Sequence, residues 1–125
     1  MTARFALVTA AAAMFAAVAL GAFGAHALRG RLTPEMAGVW QTAVQYHAWH
    51  ALALMGVGVL LQQWPERGLL ATAGWLFVAG IVLFSGSLYA LALTGLRSLG
   101  AVTPFGGVAF LAGWIAVAAT FLKRA

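Results

Sequence analysis

Three histidines, two serines in a short polar island and one arginine are the side chains of this sequence whose types and spacing could do chemistry. His47 and His50 lie three residues apart, so on a helix they share a face and offer two imidazoles to a metal or haem, with His26 as a third candidate. The chain has no cysteine, which excludes thiolate ligation, iron–sulfur clusters and cysteine nucleophiles. A zinc site needs a fuller set than His47 and His50. Only Glu35 and His26 stand ready to complete one, and no acid lies between the two histidines as in a helical metalloprotease motif. The expectation is therefore no cofactor, with imidazoles bonded to carbonyls, serines or water. Haem or metal ligation and proton exchange beside Glu35 or Tyr89 are the alternatives.

The polar island is Phe84-Ser85-Gly86-Ser87-Leu88-Tyr89, set inside an apolar run from Gly68 to Leu93. In lipid such groups need partners, so the island marks where a neighbouring helix, water or a ligand approaches. Ser85 and Ser87 are two apart and fall on different helix faces. Hydrolysis fits poorly, because the chain contains no Asp and Glu35 is the only acid on that side to support a serine–histidine pair. No enzymatic activity is expected. Arg97, just beyond the island, can clamp an anionic headgroup or substrate, or serve as an interfacial anchor. The candidate ligand-binding residues are His26, His50, Ser85, Ser87, Tyr89 and Arg97.

The elements that position them follow from composition. Of 125 residues, 64% are hydrophobic and 7% charged, and the mean hydropathy is +0.98, too apolar for a solvated globular surface. About 20 helical residues rising ~1.5 Å each cross a ~30 Å hydrocarbon core. Four spans can be drawn, at about 5–25, 44–62, 69–93 and 105–122, in a single domain covering 1–125. The expected fold is an all-α, integral membrane four-helix bundle. Leu32-Thr33-Pro34-Glu35 has a helix-start pattern that predicts a short interfacial helix between spans one and two. Small residues at four-residue spacing predict the packed faces: Ala13, Ala17, Gly21 and Ala25 in span one, Gly86, Ala90 and Thr94 in span three, Ala109 and Gly113 in span four.

The net charge of +5 comes from scattered basic residues with no run to track a nucleic acid, so the expected partner is the bilayer itself. Arg4, Arg67, Lys123 and Arg124 fall on one side and Arg29, Arg31 and Arg97 on the other, which favours cytoplasmic termini. The N-terminal run ending in Ala25-His26-Ala27 imitates a cleavable signal, but its length favours retention as a span. A homo-oligomer or a partner membrane protein is plausible for so small a protomer.

Four ordered motifs resemble the YgdD-like family of small bacterial inner-membrane proteins, a domain of unknown function with eukaryotic relatives. They are Leu20-Gly21-Ala22-Phe23-Gly24-Ala25-His26, His50-Ala51-Leu52-Ala53, Leu83 to Tyr89, and Thr103-Pro104 with Gly106-Gly107 and Gly113-Trp114. The resemblance covers nearly the whole chain and implies a four-helix protein of the bacterial inner membrane. It implies no reaction. It also implies glutamine where this chain has His47, which shifts interest to His26 and His50 meeting near the Ser85–Tyr89 island.

The reading that joins these observations is a non-enzymatic polytopic membrane protein, an accessory or small transport-type component. Its one-sided polar vestibule would bind a small ligand, lipid headgroup or partner. The alternatives are a haem- or metal-binding redox or sensor protein using His26, His47 and His50, and a structural protein with no ligand.

Overall fold

Thr2 Oγ1 accepts a hydrogen bond from Phe5 N (3.1 Å), and Thr33 Oγ1 accepts one from Met36 N (3.2 Å). Each of the first two helices thus opens on a side chain that satisfies one of its orphan amides. The structure is a computed structural model describing residues 1–122. They form four long helices, α1 (Ala3–His26), α2 (Pro34–Gln63), α3 (Gly68–Thr94) and α4 (Thr103–Leu122), the last preceded by a 3-10 turn at Arg97–Ala101. Among the described residues there is no strand. All four helices, the last counted with its leading turn, are long and apolar enough to cross a membrane. Their outer faces carry large apolar side chains such as Phe15 (78% exposed) and Ile115 (69%), which suits lipid and not water. The protein is an all-helical, multi-pass membrane bundle.

Neighbouring helices run antiparallel. Gly24 of α1 lies against the Trp40 ring and Gly58 of α2 against Leu7. Ser85 of α3 bonds the Ala43 carbonyl of α2, while Gly106 and Gly113 of α4 meet Phe84 and Phe77 of α3. Phe77, Leu54, Leu70 and Val57 are the largest fully buried apolar side chains at the core, with Ala6, Ala10 and Phe110 packed around them.

Two details depart from expectation. The short interfacial helix is not a separate element. Thr33 and Pro34 do start a helix, but no breaker follows before span two, so residues 34–43 become the first turns of one 30-residue α2. The packed face of α3 runs through Ala73, Gly74, Phe77 and Gly80 and continues at Ser85, Ser87 and Ala92, not at Gly86, Ala90 and Thr94. The cause lies in the polar island. Residues Ile81–Ser85 form a π turn, with Gly86 N–H bonded to the Ile81 carbonyl, and the wider turn rotates the face that follows it. Gly95, at φ 72°, then closes α3 in the left-handed conformation that terminates helices.

Candidate functional site

The π turn, the turns after it and the middle of α2 bring His47, His50, Ser85, Ser87 and Tyr89 together as a largely buried, internally bonded cluster. Trp114 Nε1 donates to His50 Nε2 (3.1 Å). An indole nitrogen can only donate, so His50 Nε2 is an acceptor and its proton sits on Nδ1, which donates to the Tyr46 carbonyl (2.8 Å). Both ring nitrogens are engaged, and the ring stacks on Phe110 at 3.6 Å between centroids. His47 Nδ1 lies 2.9 Å from the Tyr89 hydroxyl, and Tyr89 packs on Trp40 at 4.7 Å. Ser85 Oγ donates to the Ala43 carbonyl (2.8 Å). Ser87 Oγ donates to the Phe84 carbonyl (3.0 Å), leaving Thr103 as donor in the 2.6 Å Ser87–Thr103 contact. The two serines do face different helices. Among the described residues, no buried side-chain nitrogen or oxygen lacks a partner.

Histidines 26 and 50 do not meet. His26 is exposed in the last turn of α1, level with the Trp40 region of α2. Ten helical residues, about 15 Å, separate Trp40 from His50. No group of three His, Cys, Asp or Glu suited to a metal forms among the described residues. With both His50 nitrogens in use, a shared ligand set of His26, His47 and His50 is not assembled. Arg97 opens the 3-10 turn beyond α3, where its guanidinium lies 3.4 and 3.5 Å from the two Glu35 carboxylate oxygens in an exposed pair.

Open space lies elsewhere in the bundle. A cavity of about 610 Å³ occupies the end of the α1–α2 seam and the turn that joins these helices. Its walls include Gly21, Gly24 and Ala25 of α1, Arg29 of the turn, and Gly38, Trp40, Gln41 and Gln45 of α2. Gly21 and Gly24 let Val44 and Trp40 of α2 pack close against α1, and the cavity opens beside this contact toward the turn at Leu28–Leu32. Trp40 Nε1 bonds the Leu20 carbonyl (3.0 Å) and fixes the inner wall. Gln41 and Gln45, four apart, stand on one face of α2. None of the six candidate residues lines this cavity. Arg29 just past α1 and Gly38, Gln41 and Gln45 near the start of α2 were the signal in the sequence that pointed to it.

The family model described as a protein of unknown function, DUF423, matches residues 20–107. The chain is 56% identical over 73 residues to the UPF0382 membrane protein YwdK of Bacillus subtilis (strain 168), across 58% of this chain and 59% of YwdK. A UPF0382 membrane protein of Staphylococcus aureus (strain bovine RF122 / ET3-1) is 46% identical over 73 residues, 58% of each chain. The UPF0382 inner membrane protein YgdD of Escherichia coli (strain K12) is 49% identical over 89 residues, 71% of this chain and 67% of YgdD. For the first two relatives, the match thus spans less than two thirds of their length. No solved structure matches the chain.

Proposed function

Because the chain belongs to the DUF423 family of proteins of unknown function, we propose a role from its own geometry: a non-enzymatic accessory membrane protein whose α1–α2 groove holds a small ligand or lipid headgroup. The carrying observation is the 610 Å³ cavity with Arg29, Gln41 and Gln45 in its wall, a volume within the usual range of small-molecule sites. The non-enzymatic reading is supported by Ser85, whose hydroxyl is fully buried and donated to a helix carbonyl instead of facing a base. Polar groups crowd one half of the bundle, which favours a groove over a channel. Counting Lys123 and Arg124, which lie outside the described residues, the basic flanks favour cytoplasmic termini, and in that orientation the groove belongs to the outer leaflet.

A second reading, a structural bundle with no ligand, is favoured by the complete pairing of the buried polar atoms. Lipid extraction and mass analysis separate the two. Wild-type protein purified in mild detergent should carry a stoichiometric lipid or small molecule, and Gly38→Trp, which fills the groove, should lose it. Wild-type protein free of any bound molecule would favour the structural reading.

A further inference from the structure

The charge at the groove end of the bundle is unbalanced. Glu35 is the only acid there, and it is taken by Arg97 in the single ion pair among the described residues. Arg29 and Arg31, on the turn between α1 and α2, therefore leave an uncompensated positive potential. Of these two, Arg29 lines the cavity and Arg31 does not. A guanidinium presents a planar fork that matches phosphate oxygens two at a time. Gln41 and Gln45 add amide groups that both donate and accept, the chemistry needed to hold hydroxyl or ester oxygens beside a phosphate.

Gly38 adds an independent observation. A glycine inside a helix costs about 1 kcal/mol relative to alanine. Here the φ angle is not in the left-handed region, and a Cβ would meet nothing within 4 Å. Neither backbone geometry nor helix contact calls for glycine at this place. Its missing side chain leaves that stretch of the cavity wall open.

Building on the groove reading above, we infer that this cavity is a site for a net-anionic, phosphate-bearing headgroup, with Arg29 on the phosphate and Gln41 and Gln45 on flanking hydroxyl or ester oxygens. The position at the ends of membrane-spanning helices suits a glycerophospholipid entering from the leaflet, and a soluble phosphate ester carries the same chemistry. Zwitterionic phosphatidylcholine shares the phosphate, but its choline cation meets the positive charge of Arg29 at the cavity wall.

The test is native mass spectrometry of wild type, Arg29→Gln, Arg31→Gln and Gly38→Trp, each titrated with phosphatidylglycerol, phosphatidylcholine or inorganic phosphate. Circular dichroism confirms the helical fold of each variant. Wild type should prefer phosphatidylglycerol by about tenfold, the scale of one charge-assisted contact. Arg29→Gln should bring the two lipids within about twofold of each other, while Arg31→Gln keeps the preference. Phosphate binding that is lost in Arg29→Gln, with no lipid retained, would support the phosphate chemistry and assign it to a soluble source. Equal affinity of wild type for both lipids, or equal losses in the two arginine variants, would overturn the headgroup inference. If Gly38→Trp still abolished lipid binding, the groove itself would stand. Retention by Gly38→Trp at the wild-type level would instead remove the groove reading.

Discussion

His50 shows how a residue with catalytic or ligating chemistry can serve as a packing element. Its Nδ1 is bonded to the Tyr46 carbonyl and its Nε2 to the Trp114 indole, while Phe110 covers the ring. Trp114→Phe keeps an aromatic ring, though a smaller one, and removes the donor, so Nε2 is left buried and unpaired. The expected cost is about 0.5–2 kcal/mol, read as a lowered unfolding midpoint in detergent. His47 gives a sharper contrast. His47→Gln retains an amide able to reach the Tyr89 hydroxyl and should cost less than about 1 kcal/mol, whereas His47→Leu strands that hydroxyl and should cost about 1–2 kcal/mol. Equal stabilities of the two variants would show that the His47–Tyr89 bond contributes nothing. The importance of these residue types was legible in the sequence. Their partners were not, because helices apolar on every side carry no pattern that says which face turns inward.

At the scale of elements, close helix contact and open space make opposite demands on glycine. At Gly106, a Cβ would collide with the Phe84 backbone in the π turn of α3, so Gly106→Ala must push α3 and α4 apart. It should destabilise the bundle by about 1–3 kcal/mol. Gly38→Ala meets open space and should leave stability unchanged or raise it by up to about 1 kcal/mol. Thermal unfolding of the two variants side by side checks both signs. The four spans could be read from hydropathy to within a few residues at most ends, since a bilayer sets the length of an apolar helix. The π turn had no such signature, and beyond it the packed face of α3 falls on Ser87 and Ala92 and not on Gly86, Ala90 and Thr94. The start of α2 was located correctly at Thr33-Pro34, yet its continuity into the span was missed because a start pattern says nothing about where a helix ends.

For the molecule as a whole, the polar residues divide into two groups with different tasks. The buried group, His47, His50, Ser85, Ser87 and Tyr89, ties helices together and has its bonding capacity filled from within. The second group, Arg29, Gln41 and Gln45, faces a cavity that no side chain occupies. The candidate site read from the sequence, His26, His50, Ser85, Ser87, Tyr89 and Arg97, was drawn largely from the first group. Polar residues inside a span stand out against an apolar background, while polar residues near its end look like ordinary flanks. The most direct measurement compares the native mass spectra of wild type, Tyr89→Phe and Gly38→Trp prepared in the same mild detergent. If the groove is the site, wild type and Tyr89→Phe retain the same bound mass and Gly38→Trp loses it. Loss in Tyr89→Phe with retention in Gly38→Trp would contradict this and return the site to the buried cluster.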